Sequence, residues 1–168
     1  MHRLSPLIAA AVMAALAGCV AAPPVAGYRT EGAQMSSIAA FDPARFQGRW
    51  YEVAGFHAGK CAVGAMTVTR QTTGQMLVTE GPCASTPPRQ YLVAPSGAGR
   101  LAPVDGSAPL WVLWVDGGYR TAVIGTPSGE FGYVLNRTRS IPADRMQAAR
   151  DILDFNGYDV TQLRPSGL

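Results

Sequence analysis

Between residues 49 and 138 the apolar side chains come in short runs, several of them alternating with polar residues in the period-two pattern of a strand with one buried face. The runs fall at 49–57, 63–72, 75–82, 88–94, 99–104, 110–116, 119–126 and 130–138. Between them stand Thr73-Gly74, Pro87-Pro88, Pro95-Ser96-Gly97, Gly106-Ser107, Gly117-Gly118 and Pro127-Ser128-Gly129, residue types that make turns. The run LWVLWV at 110–115 is apolar on both faces, so alternation alone assigns it no inside. Short strands at regular spacing, with no helical stretch between them for a parallel crossover, predict an all-β antiparallel barrel or sandwich.

Past residue 138 the period changes. Pro142, good helix formers from Ala143 to Phe155, and Asn156-Gly157 as a stop predict one helix, whose Met146, Ala149, Ile152 and Leu153 share a stripe that packs on something flat. An extended tail, YDVTQLRP, follows. At the other end, residues 20–40 are rich in Ala, Pro, Gly and Ser without a sustained period, which predicts a flexible tether with a coil dimension of about 25 Å. The folded domain is expected over 41–168.

Residues 1–18 read as a targeting segment: His2 and Arg3, an apolar run from Leu7 to Leu16 too short to span a bilayer, then Leu16-Ala17-Gly18-Cys19. That tetrapeptide resembles the lipobox of bacterial lipoproteins. The resemblance implies a Cys19 that becomes the first mature residue and carries the lipid. Val20, where the rule for inner-membrane retention wants Asp, implies the outer membrane, on its periplasmic face. The alternative is an ordinary signal peptide cleaved elsewhere.

At 168 residues the chain has room for one domain with a substantial core. Its net charge of +3 comes from scattered residues with no Lys/Arg run, which argues against nucleic acid as a partner. With Cys19 set aside, Cys61 and Cys83 remain, flanking the turn at Thr73-Gly74 almost symmetrically. In an oxidising compartment that placement predicts a disulfide, with a free, reactive Cys61 as the alternative.

The stretch Phe41-Asp42 leading into Phe46-Gln47-Gly48-Arg49-Trp50-Tyr51-Glu52, then Val115-Asp116, then Leu135-Asn136-Arg137-Thr138, ahead of a single helix, resembles the lipocalins, and most closely their bacterial outer-membrane lipoprotein branch. The resemblance implies an eight-stranded up-and-down barrel with one helix packed outside, binding a small hydrophobic ligand. Strand parity in such a barrel puts the start of the first strand and the ends of the sixth and eighth at one rim. Trp50, Asp116 and Arg137 are therefore expected together at the closed base, with the guanidinium over the indole and Gly48 leaving room for it.

Parity with Trp50 selects Glu52, Ala54 and Phe56 as inward. Parity with Arg137 selects Phe131, Tyr133 and Leu135. For the sixth strand the family register implies Leu110, Val112 and Trp114 inward and Trp111 outward. This lining is apolar and aromatic and suits an acyl chain, so a fatty acid or lysophospholipid is the expected ligand, with His57 and Lys60 at the mouth as candidate contacts for its head group.

Catalysis finds little support. Apart from His2, His57 is the only histidine, which excludes multi-His metal sites. Cys61 with His57 is the one available nucleophile–base pair, and a Cys61–Cys83 bond would abolish it. No phosphate-binding Gly loop and no G-x-S-x-G elbow is present, and no cofactor is implied. A lipid carrier is thus expected. The alternative is a periplasmic interaction module with a filled barrel, holding a protein partner through its rim loops or Trp111.

Overall fold

The computed structural model describes residues 27–56, 64–82 and 87–166. A one-turn helix, α1 (Pro43–Phe46), opens the domain; the Asp42 carboxylate caps it by accepting from the amides of Ala44 and Arg45. Eight strands follow: β1 (Gly48–Gly55), β2 (Ala65–Arg70), β3 (Met76–Glu80), β4 (Arg89–Gly97), β5 (Arg100–Pro103), β6 (Leu110–Val115), β7 (Thr121–Gly125) and β8 (Gly132–Asn136). Each pairs antiparallel with the next, and β1 pairs with both β8 and β2, so the sheet closes into the expected eight-stranded barrel. Helix α2 (Ala143–Phe155) lies outside it, and a two-residue strand, β9 (Arg164–Pro165), pairs with Ala54 and Gly55 of β1. Because β8 holds the other edge of β1 at those residues, β9 takes the edge that β2 leaves beyond Ala65.

Two β-bulges decide which side chains face inward. In β1 the register shifts between Glu52 and Ala54, and in β6 between Val112 and Trp114. One extra residue reverses the in–out sequence beyond it. Glu52, Leu110 and Val112 precede the bulges and point inward as expected, but Ala54, Phe56 and Trp114 pack outside, in the cluster of the outer wall. Sequence parity fails there because the run from Val53 to Phe56 and LWVLWV are apolar on both faces and give no sign of the slip.

The apolar side chains fall into two clusters. One fills the barrel and draws on every strand: Trp50, Met66 and Val68, Met76 and Val78, Tyr91 and Val93, Leu101, Leu110, Val112 and Val115, Ala122 and Ile124, and Leu135. The other joins the outer wall to α2 through Val53, Leu113, Val123 and Val134 against Ala149 and Leu153, with Met146 and Ile152 alongside as the helical stripe predicts. Gly157, at φ +81°, ends the helix; its amide reaches Asp154 O and the Tyr158 amide reaches Leu153 O.

The wall around residues 84–109, poor in large apolar residues, nevertheless closes. β4 runs through the expected turn at Pro95-Ser96-Gly97, with a bulge between Pro95 and Gly97, and turns at 98–99. The β5–β6 seam is short, holding only Arg100↔Trp111 and Leu101↔Leu110. Residues 27–40 reinforce that region, where a free tether was expected. The Ile38 amide donates to Val112 O at the β6 bulge, and Ile38 packs against Gly99. Farther back, Tyr28 N bonds to Gly129 O, Thr30 N to Gly157 O, and Ser36 N to Asn156 Oδ1. Arg29 fastens this strap by donating to Asn156 O at 2.7 Å, Pro127 O at 2.6 Å and Ala33 O at 2.8 Å. Sequence periodicity missed the strap because its apolar anchors, Tyr28, Met35 and Ile38, follow no strand or helix period and the rest of its hold is backbone amides and one arginine.

Candidate functional site: the barrel lumen and its mouth

The closed end is built on Trp50 and Arg137. The guanidinium carbon stands 3.6 Å from the indole centroid, and the three guanidinium nitrogens donate to backbone carbonyls: Nε to Tyr119 O, Nη1 to Arg49 O and Nη2 to Arg45 O. Arg137 thus ties α1, β1 and the β6–β7 turn together, and its burial lowers the guanidinium pKa. The indole Nε1 donates to Phe46 O at 2.9 Å. Gly48 has φ +97°, and a Cβ there would lie 3.3 Å from Arg137 Nη1, so the glycine serves both the turn and the guanidinium.

Asp116 organises the same end. Burial opposes its ionisation, but the amides of Thr121 and Arg120 and the Arg120 guanidinium hold its carboxyl below the usual range. Tyr119, in the left-handed region at φ +55°, accepts the Asp42 amide on its hydroxyl and lies under Arg45. Asn136, which sequence reasoning left as part of a motif, carries a separate load. Its side chain binds Ser140 O and Thr138, and its Oδ1 accepts from Thr121 Oγ1 and Arg145 Nη1, fixing the start of α2 to this end.

Opposite the base, the lumen becomes polar. Glu52 on β1 has no exposed surface and accepts from Ser166 Oγ at 3.0 Å. Tyr91 on β4 donates its hydroxyl to Glu80 Oε1 on β3 at 2.7 Å. Burial first, and then the Glu80 carboxylate, pushes the Tyr91 phenol well above its ordinary pKa. The Tyr133 phenol on β8 is raised in the same way by burial and by the charges of Glu80 and Glu52. Tyr91 and Tyr133 come from β4 and β8, on opposite walls of the barrel, and both pack against the cluster that fills it. Phe131 stacks on Tyr133 with centroids 5.1 Å apart, and both are half-buried. Arg89 lies over the Tyr91 ring at the rim and pairs with Asp105, a partly exposed contact worth little.

Below that layer the barrel is closely packed. Met76, Val93, Val112, Ala122 and Leu135 have no accessible surface. Met66 and Met76 are the adaptable members of this wall, since an unbranched thioether changes shape at low cost. Of the expected inward residues, the structure brings Glu52, Leu110, Val112, Phe131, Tyr133 and Leu135 to the lumen, and Trp50, Asp116 and Arg137 to the base. Glu80, Tyr91, Met66 and Met76 join them without having been singled out. Strict alternation along 75–82 and 88–94 would have found Glu80 and Tyr91 once Val78 was fixed inward. His57, Lys60, Cys61, Cys83 and Cys19 lie outside the described residues.

A closed eight-stranded antiparallel barrel with an Arg-capped Trp at its shut end and a single helix on its wall is a recognisable combination. Its fold is the lipocalin fold. Residues 96–166 match the family model of the Lipocalin-like domain. Temperature-induced lipocalin-1 of Arabidopsis thaliana is 27% identical over 158 residues, covering 80% of this chain and 83% of the plant protein. Among solved structures, lobster apocrustacyanin A1 superposes with a TM-score of 0.56 at 16% identity, over 80% of this chain and 89% of that one. The cockroach allergen Per a 4 does so with a TM-score of 0.58 at 11% identity, over 80% and 93%. Among the described residues, no three metal-ligating side chains gather, and no helix is long and apolar enough to cross a membrane.

Proposed function

We propose that this chain binds one small amphiphile with an acyl tail, a fatty acid or a lysophospholipid, in its barrel. We further propose that it does so while anchored through a lipidated Cys19 at the periplasmic face of a bacterial outer membrane, for lipid storage, transport or membrane upkeep. The supporting observation is the division of the lumen. Glu52, Glu80, Tyr91 and Tyr133 form a polar layer towards the open end, and an apolar well of Met, Val, Leu and Ile lies beneath it. A head group meets donors and acceptors in that layer, while each CH₂ that leaves water for the well gains about 0.8 kcal/mol. Because the well is closely packed, an entering chain displaces flexible side chains, and Met66 and Met76 are placed to yield. The similarity to a plant lipocalin supports a binding role.

A second reading, an interaction module with a filled barrel, draws on the same close packing and on an outer-wall groove. That groove, of about 380 Å³, is lined by Leu77, Gln90, Tyr91, Leu92, Val104 and Asp105. Native mass spectrometry of the full chain purified from membranes separates the two. Bound acyl species released on activation support the carrier; an apo barrel that stays unliganded with added lysophospholipid overturns it.

A further inference from the structure

We infer that the open rim of the barrel docks on the phospholipid bilayer that carries the chain's own anchor. The inference rests on the proposed lipidation of Cys19 and adds an orientation to it.

The chain leaves the fold at the open rim. The strap is pinned from Ile38, at the β6 bulge, back to Tyr28, whose amide bonds to Gly129 O in the β7–β8 turn and whose ring lies 4.9 Å from that of Phe56. That turn is at the mouth, because β7 starts at the base beside Asp116 and runs away from it. Gly27 is wedged against Ser128 O, where a Cβ would come within 2.3 Å. The chain therefore exits at the open rim. From Cys19 to Gly27 there are eight chain steps, which span at most about 28 Å when fully extended. The exit point at the rim therefore lies within that distance of a bilayer that holds Cys19, so the tether holds the barrel by its open end.

Among the described residues the large apolar side chains left exposed are Phe155, at 76%, and Val104, at 59%. Both stand at the mouth end. Helix α2 begins at the base, where Arg145 bonds to Thr121 and Asn136, and finishes at the mouth, where Gly157 O accepts from Thr30 and the Tyr158 hydroxyl reaches Phe131 O. Phe155 is its last residue. Val104 follows β5 as that strand arrives from the base. Exposed apolar side chains on one rim, beside a short lipid-bearing chain, fit the interfacial region of a bilayer. An acyl ligand would then pass between bilayer and lumen without crossing bulk water.

The test uses the full lipoprotein reconstituted into phosphatidylethanolamine–phosphatidylglycerol vesicles containing brominated lipid, which quenches nearby indoles. A reporter is placed at the rim by Phe155→Trp and at the base by Gly117→Trp, where a new side chain meets open space. The emission of the wild-type protein, whose own tryptophans are buried or half-buried, is subtracted. Docking by the rim predicts that the added Phe155→Trp emission falls at least twofold while that of Gly117→Trp is unchanged. Equal emission with and without brominated lipid at both positions, or quenching at the base alone, overturns the inference. The intact mass of the same preparation reports separately on the premise. If Cys19 bears no acyl group, the anchoring reading fails and the inference falls with it; an acylated chain with two unquenched reporters rejects only the orientation.

Discussion

Arg137 covers Trp50 from above, with its guanidinium carbon 3.6 Å from the indole centroid, while its three nitrogens bind carbonyls contributed by Arg45, Arg49 and Tyr119. The pair closes one end of the barrel and fixes the direction from which anything enters. Replacing Arg137 by Ala removes the cation–π contact, up to about 2 kcal/mol when desolvated, and leaves three carbonyls to find water. We expect a loss of roughly 2–4 kcal/mol in urea unfolding. Lys in its place keeps the charge but not the three-way fork, and falls between. An unchanged midpoint for Arg137→Ala would show that the lid is ornamental.

Gly48→Ala and Gly74→Ala make a matched pair. Both glycines have positive φ, +97° and +84°, but a Cβ at Gly48 meets Arg137 Nη1 at 3.3 Å while one at Gly74 meets open space. The left-handed backbone alone costs an alanine about 1–2 kcal/mol. Gly74→Ala is expected to lose that much, and Gly48→Ala measurably more, with Trp50 emission altered in the second only. Equal losses would mean that the guanidinium moves aside freely.

The strap predicts a pattern of amide exchange. Tyr28, Thr30 and Ile38 donate to Gly129 O, Gly157 O and Val112 O, so their amides exchange slowly, as those of a free tether would not. Arg29→Ala deletes the bonds to Asn156 O, Pro127 O and Ala33 O and is expected to speed exchange at Tyr28 and Thr30 at least tenfold, with strand amides little changed. Uniformly fast exchange in the wild type would contradict the pinned strap.

The buried phenols give a dependence on alkaline pH. In the unfolded chain Tyr91 and Tyr133 lose their protons near the ordinary value of 10.0, whereas in the barrel burial and the nearby carboxylates hold them protonated above it. Above pH 10 the unfolded state therefore binds fewer protons than the folded one, and stability falls as pH rises; below pH 10 these groups contribute no slope. Burial pushes the Tyr158 phenol up as well, to about 12, so phenolate absorbance is expected to show three tyrosines ionising late or only as the protein unfolds, and two in each of Tyr91→Phe and Tyr133→Phe. All phenols titrating near their ordinary value in the folded protein would refute the buried layer.

The strands, their order and the helical stripe were legible because each follows from a local period that packing did not override. The base was legible for another reason: strand direction alone carries Trp50, Asp116 and Arg137 to one rim. Which residues line the lumen was less so. Val53 and Leu113 stand at bulges, and the residues beyond them are apolar on both faces, so counting by two put Ala54, Phe56 and Trp114 on the wrong side of the wall. β9 was hidden because it holds by backbone hydrogen bonds, which any sequence can offer, and the strap because its apolar anchors Tyr28, Met35 and Ile38 follow no period. The Glu80–Tyr91 contact depends on the pairing of β3 with β4, a non-local fact.

The claim on which the account turns is that an acyl chain enters the barrel by displacing its methionines. Methyl-labelled methionine NMR, with a lysophospholipid added below its micelle concentration, tests this most directly. Met66 and Met76 lie in the lumen cluster, whereas Met35 and Met146 pack on the outer wall beside the strap and helix. The account predicts saturable shifts of the Met66 and Met76 methyls at one ligand per chain, with Met35 and Met146 unmoved. Shifts confined to Met35 and Met146, or no saturable shift at all, would contradict it.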